Sequence, residues 1–233
     1  MPRETFQREL DRLVEEVVEL GREVESCIET MVEALETQDA ETARREIGVD
    51  SRFKERGAEI DEECMVLQAR QAPVARDLRL IYSVQAVTNH LVRAGTLCEH
   101  ICHAVVETAG TDNEPDLAAT LSEMARAARN LFRDGLDVFE SRDIDRARDL
   151  EAADDKVDLL YSEAMNLVVN PAGKEGTSSP EWRVRAALMV HYLERIADHG
   201  VDVGGRTVFL VTGERMESAM RQYRERRIDP DED

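Results

Sequence analysis

The sequence predicts an all-α protein of six helices, arranged as two tandem three-helix bundles related by an internal pseudo-twofold axis. Apolar residues recur three or four positions apart along most of the chain, which is the periodicity of an amphipathic helix. Alternating strand patterns are absent, and the second half of the chain repeats the pattern of the first. A length of 233 residues with 42% hydrophobic content is enough for one large core or two smaller ones.

The first half contains three helical stripes. The first covers residues 6–35, and Asp39 marks the break before the second, which covers residues 43–67. The third stripe covers residues 78–101 and ends near Gly110, where the segment AGTDNEPD interrupts the pattern with Gly, Asn and Pro. This segment predicts the boundary between the two bundles.

The second half restarts the same pattern. A fourth helix is predicted over residues 117–139 and a fifth over residues 147–168, followed by the loop NPAGKEGTSSPE. The sixth runs from about Trp182 to Thr212 and stops at Gly213, where a left-handed C-terminal cap is expected.

Internal alignment indicates a duplication. The segment MVEALETQDAETARREIGVDSRF aligns with LDVFESRDIDRARDLEAADDKV, so that Asp39 matches Asp143 and Asp50 matches Asp154. Later, HLVRAGTLCEH aligns with YLERIADHGVD after a change of two residues in loop length. We therefore assign residues 1–109 to the first repeat, 110–214 to the second, and 215–233 to a charged tail that is expected to be partly disordered.

The charge balance excludes several classes of partner. The net charge is −20, and a surface so acidic repels nucleic acid and anionic lipid head groups. Three lysines accompany 27 arginines, a bias expected of a halophilic, archaeon-like organism with GC-rich DNA. No apolar run approaches the roughly 20 residues that span a bilayer, and the charged N-terminus does not look like a signal peptide. We expect a cytoplasmic protein without direct membrane insertion.

The four cysteines lie on apolar stripes of the first half, which favours reduced thiols in the core over disulfides. An alternative is a zinc site formed by Cys98, Cys102 and His103 on one helix flank. This alternative lacks a fourth ligand.

A stack of carboxylates on the last helix is the main candidate for chemistry. Glu194, Asp198 and Asp202 follow each other at four-residue intervals, where like charges repel. Asp154 occupies an otherwise apolar stripe of the preceding helix, where an unpartnered carboxylate is costly. Two interpretations stay open: a bound multivalent cation, or a solvated face with ion pairs to Arg195 and Arg185. His191 is a further candidate ligand.

Three motifs resemble the PhoU family of phosphate-transport regulators: PVARDLR at residues 73–79, DKVDLLY at 155–161 and LERIADH at 193–199. The resemblance covers about residues 5–214. It implies a cytoplasmic regulator that docks on a phosphate ABC transporter, through its ATPase subunit, with a signalling partner such as a sensor kinase. Arg76 and Arg79 then belong to a docking surface. We also expect a homodimer.

The resemblance further implies a metal site. Some members of the family bind iron or other metal clusters through carboxylates, which assigns Glu194 and Asp198 as ligands, together with Asp154 and Asp158 from the facing helix. Four carboxylates suit a hard cation such as iron, magnesium or manganese. The first repeat has Val92, Thr96 and Lys54 where the second has Glu194, Asp198 and Asp158. We therefore expect at most one metal site, in the second repeat.

No enzyme signature accompanies these motifs. A di-iron carboxylate enzyme needs Glu-x-x-His pairs, and none of the five histidines has a glutamate three residues before it. The sequence also has no Gly-rich phosphate loop and no nucleophile–base motif. The main alternative to a phosphate regulator is a metal-free helical scaffold or interaction module unrelated to phosphate.

Overall fold

The computed structural model describes residues 3–170 and 178–214, and these residues form six long helices and one short helix without any strand. The helices are α1 (Arg3–Thr37), α2 (Ala40–Arg45), α3 (Val49–Gln71), α4 (Ala75–Thr108), α5 (Pro115–Ser141), α6 (Ile144–Val169) and α7 (Pro180–Thr212). The predicted all-α fold class is confirmed. The tail at residues 215–233, including its predicted disorder, lies outside the described residues.

Matching aspartates begin matching helices in the two halves. Asp39 is the N-cap of α2, and its carboxylate accepts a hydrogen bond from the backbone N–H of Glu41. Asp143 is the N-cap of α6 and accepts from the backbone N–H groups of Asp145 and Arg146. A short acceptor side chain at this position satisfies N–H groups that have no partner within the helix. The internal alignment therefore reflects equivalent local structure.

Helix α7 has a capping residue at each end. The hydroxyl of Ser179 accepts a hydrogen bond from the backbone N–H of Trp182, and Pro180 occupies the first turn, where its missing N–H has no cost. At the other end Gly213 has φ +81°, and its N–H donates to the carbonyl of Phe209. The left-handed cap predicted at Gly213 is confirmed.

The second predicted helix differs from the structure. It is divided into α2 and α3, and Gly48 between them has φ +96°, whereas the matching helix α6 continues without a break. The position aligned with Gly48 is Ala152. Glycine adopts positive φ at little cost and weakens a helix relative to alanine, so the break lies where the first repeat has glycine and the second has alanine.

The helices pack as two bundles side by side. Helices α1, α3 and α4 contact one another, and so do α5, α6 and α7, while the contacts of α4 with α7 and of α1 with α5 join the bundles. The predicted boundary at residues 109/110 falls in the connection between α4 and α5, and the exact domain limits stay a prediction. None of the described helices combines the length and the apolarity that crossing a membrane requires.

Helices α5 and α7 approach each other so closely that their backbones touch. A Cβ atom on Gly200 of α7 would lie 2.6 Å from the Cα of Phe132 and 2.8 Å from the carbonyl oxygen of Leu131. A Cβ atom on Gly135 of α5 would lie 2.0 Å from the carbonyl oxygen of Gly200. Since backbone atoms cannot turn aside as a side chain can, only glycine fits at this crossing.

We therefore expect Gly200→Ala to destabilise the protein by about 1–3 kcal/mol, as overpacking in a core does. Gly21→Ala is the matched control, because its new methyl group would meet the side chain of Leu136, which can shift more easily than a backbone can. Urea unfolding of both variants measures the difference. A Gly200→Ala protein as stable as Gly21→Ala would show that the two backbones can separate without loss of stability.

Candidate metal centre

The four predicted ligands lie at the contact between α6 and α7. Asp154 and Asp158 project from α6, and Glu194 and Asp198 project from α7. Partial burial and the charges of Asp158, Asp198 and Glu194 raise the pKa of Asp154 to about 6. Burial, followed by the repulsion of Asp198, also raises the pKa of Glu194. The structure thus brings the four carboxylates close enough to oppose one another's ionisation.

One oxygen of Glu194 has an unusual environment. Its Oε2 atom is buried and has no hydrogen-bond partner in the part of the chain that the structure describes. The Nδ1 atom of His191 lies 3.7 Å from it, beyond hydrogen-bond distance. Buried carboxylate oxygens are normally satisfied, because an unmade hydrogen bond to a charged group is costly.

The ion-pair interpretation is only partly supported. Arg195 lies 3.9 Å from Asp198, a weak contact between half-exposed side chains. Arg185, the other expected partner, instead forms a 2.8 Å ion pair with Glu107 on α4. The expected pairing of Arg185 with this acidic group is therefore wrong. The cation interpretation is also only partly supported. In the described residues, no three of these four carboxylates have oxygen atoms that all lie within 4.8 Å of one another.

The equivalent position in the first bundle has internal partners. Lys54 and the hydroxyl of Thr96 both donate hydrogen bonds to the carboxylate of Asp50, the residue that matches Asp154. Although partial burial opposes ionisation, these two hydrogen bonds lower the pKa of Asp50. Asp50 is thus neutralised within the chain and offers little to a cation.

A second group of ligand-type side chains lies between the bundles. The Nδ1 atom of His90 on α4 lies 3.2 Å from Nδ1 of His199 and 3.4 Å from Oδ2 of Asp202, both on α7. Burial, then the charges of His90 and Arg195, lower the pKa of His199 to about 4, and burial also lowers the pKa of His90. Both rings are therefore neutral near pH 7.

Sequence reasoning did not find this group. It placed Asp202 in the acidic stack, and it considered His90 and His199 as ligands only through the absence of a glutamate three residues before them. His90 and His199 are 109 positions apart, so that only the packing of α4 on α7 joins them.

The cysteines form no such site. All four are buried, which confirms their predicted place in the core, and their reduced state stays a prediction. His103 is half exposed and faces Glu99 at 3.7 Å, while Cys98 and Cys102 are fully buried. The zinc site suggested for these three residues is absent from the described residues, because the imidazole and the thiols point to different environments.

Comparisons with known proteins agree with this architecture. The family model described as "PhoU domain" matches the chain twice, over residues 17–105 and 121–207. The phosphate-specific transport system accessory protein PhoU homolog of Clostridium acetobutylicum is 30% identical over 218 residues, covering 93% of this chain and 99% of that protein. The phosphate-specific transport system accessory protein PhoU of Escherichia coli is 27% identical over 209 residues, covering 90% of this chain and 86% of that protein.

Solved structures show the same fold. The crystal structure of PhoU from Pseudomonas aeruginosa superposes with a TM-score of 0.84 at 25% identity, covering 90% of this chain and 100% of that one. The phosphate transport system regulatory protein PhoU from Streptococcus pneumoniae gives a TM-score of 0.82 at 24% identity, covering 90% and 98%.

The raised pKa of Asp154 predicts a pH-dependent effect of its removal. The pKa of Asp154 is about 6 in the folded protein and about 3.9 in the unfolded chain. The stability that the Asp154 carboxyl group contributes is therefore fully present below about pH 4 and is lost as the pH rises through 6. Without metal, Asp154→Asn should therefore stabilise the protein at neutral pH, by about 1 kcal/mol after allowance for solvent screening. The gain should vanish near pH 4.

Denaturant unfolding at the two pH values, with a chelator present, measures this effect. Asp155→Asn is the control, because it removes an equal charge from an exposed neighbouring position. An equal gain from both variants, or a gain that persists at low pH, would contradict the role given to burial at Asp154.

Proposed function

The chain belongs to the PhoU domain family, and from this premise we propose that it is an accessory regulator of phosphate uptake and phosphate homeostasis. The observation that carries the proposal is the match of both repeats to one family, together with relatives named for phosphate-specific transport that align along nearly their whole length. The candidate site consists of carboxylates and contains no nucleophile–base pair, which is consistent with regulation by binding. The protein acts as a binding regulator and not as an enzyme.

We propose that the regulator works in the cytoplasm and docks on the ATPase subunit of a phosphate ABC transporter. An exposed patch at the turn between α3 and α4 supports this assignment. Val74, Leu78 and Tyr82 expose large apolar side chains there at four-residue spacing, which is that of one helix face, and Arg76 is exposed in the same first turn. Apolar groups beside a guanidinium are typical of the core of a protein interface. Arg76 favours a partner segment that combines apolar and acidic residues.

A charge placed in this patch should abolish docking. Val74→Glu puts a carboxylate into the apolar patch, whereas Leu159→Glu puts one at an equally exposed position on α6; both native side chains are 73% exposed. In cells lacking the gene, phosphate uptake under plentiful phosphate should rise. The native protein and Leu159→Glu should restore restraint, and Val74→Glu should not.

Binding of the purified proteins to the ATPase subunit provides the direct readout. If deletion changes neither phosphate uptake nor the expression of phosphate-starvation genes, the proposed function is wrong. If both variants bind and restrain uptake equally, the function stands and the docking surface lies elsewhere. A homodimer and a signalling partner stay predictions, which light scattering and co-purification from native cells can test.

We further propose that the second repeat holds a hard cation through Glu194, Asp198, Asp154 and Asp158. The support is the unsatisfied Oε2 atom of Glu194 together with the mutual repulsion of the four carboxylates. Oxygen ligands of this charge suit iron, magnesium or manganese. The cation would offset the repulsion and hold α6 against α7. The alternative is a metal-free scaffold, and the following measurement distinguishes it from a cation-binding protein.

The neutral double variant Glu194→Gln, Asp198→Asn gives opposite results under the two interpretations. If a cation binds, the variant should lose a stabilisation of about 2.7 kcal/mol at a metal concentration a hundredfold above Kd. If no cation binds, the variant should be more stable than the native protein, because it relieves repulsion. Melting curves with iron, manganese or magnesium, and with a chelator, show whether the substitutions lower or raise the melting temperature. Asp155→Asn again serves as the control for loss of surface charge.

A further inference from the structure

We propose a second metal site, formed by His90 of the first bundle and by His199 and Asp202 of the second, that takes a borderline transition-metal ion such as zinc. It differs from the carboxylate group in residues, in chemistry and in place. The carboxylate group lies between α6 and α7, whereas these three side chains lie between α4 and α7.

The geometry carries the proposal. A tetrahedral zinc ion with bonds of about 2.0–2.1 Å to nitrogen and oxygen ligands separates those ligands by about 3.3 Å. The observed separations from His90 Nδ1 are 3.2 Å to His199 Nδ1 and 3.4 Å to Asp202 Oδ2. The ligand atoms of all three residues lie within 4.8 Å of one another, and in the described part of the chain no other group of three His, Cys, Asp or Glu residues does so.

Hydrogen bonding accounts for this arrangement less well than a bound metal ion does. A neutral His90 ring carries at most one hydrogen on Nδ1, so that this atom can donate to His199 or to Asp202 but not to both. A metal ion can bind all three atoms at once. Two imidazoles and one carboxylate are a common ligand set for zinc, with a fourth position for water.

Access to the three side chains favours an ion, whereas the nearby positive charges oppose it. Asp202 is exposed, so that an ion can reach the group from its side; His199 is 5% exposed and lines a groove of about 520 Å³ between α3, α4 and α7, which His90 and Asp202 do not line. The guanidinium groups of Arg93 and Arg206 lie near His90 and oppose a cation. The affinity should therefore depend strongly on the carboxylate of Asp202.

Cobalt(II) is the spectroscopic probe, because tetrahedral cobalt absorbs strongly in the visible range and octahedral cobalt absorbs weakly. The full chain, freed of metal by a chelator and dialysed, should bind one cobalt ion with tetrahedral absorption, and zinc should displace it. His90→Gln and Asp202→Asn should each weaken this binding at least tenfold. His100→Gln is the matched control, since His100 is an exposed histidine of the same helix outside the group.

Circular dichroism establishes that each variant is folded; His90 and Asp202 are accessible enough for this substitution, whereas His199 is buried. The double variant Glu194→Gln, Asp198→Asn should retain the cobalt spectrum, which separates this site from the carboxylate group. The proposal is overturned if the folded native protein gives no tetrahedral absorption, or if His90→Gln gives the same spectrum and affinity as His100→Gln. Loss of the spectrum in the carboxylate variant alone would assign the ion to that group instead.

Discussion

The backbone contact between α5 and α7 at Gly135 and Gly200 determines where the candidate functional side chains lie. Because no side chain fits between the two backbones, α7 has little freedom to rotate about its axis. A rotation by one residue, about 100°, would turn the carboxylates away from α6 and the histidine away from α4. The glycines thus fix the position of the candidate ligands on α7, although neither glycine is itself a candidate ligand.

Fixed in this way, α7 presents different chemistry to different neighbours. Asp198 and His199 are adjacent in sequence, yet the first faces α6 and the second faces α4. Burial acts on them in opposite senses, since it raises the pKa of the carboxyl group and lowers the pKa of the imidazole. Both shifts favour the uncharged form. The same helix therefore carries carboxylates of a kind suited to hard cations and an imidazole of a kind suited to borderline ones.

The features that could be predicted from the sequence are those that depend on local residues. Asp39, Asp143 and Gly213 mark helix ends because each satisfies backbone groups within its own turn. The division at Gly48 was missed, since apolar periodicity continues across it. The pairing of Arg185 with Glu107 was also missed, because it depends on how α4 and α7 pack.

The repeat alignment did contain a signal for the histidine group. It matches His90 with Tyr192 and His100 with Asp202, and a pseudo-twofold axis turns a contact between His90 and Asp202 into one between Tyr192 and His100. The structure has both contacts: His90 lies 3.4 Å from Asp202, and the rings of His100 and Tyr192 are 5.4 Å apart. Once either contact is known, the alignment of the two repeats predicts the other. Distances suited to a metal could not have been obtained in this way.

The two repeats differ in how the charge of the matching residues Asp50 and Asp154 is balanced. In the first bundle Lys54 supplies a positive charge to Asp50 within the chain, so its folding needs no external ion. In the second bundle Asp158 replaces that lysine, and the charge of Asp154 has to be offset by protonation, by solvent or by a cation. Helix α4 of the first bundle packs on α7 of the second, and α1 packs on α5. A change in the packing of α6 on α7 can therefore reach the first bundle through these contacts. An ion bound in one repeat can thereby alter a surface on the other, provided that it binds the two arrangements with different affinity.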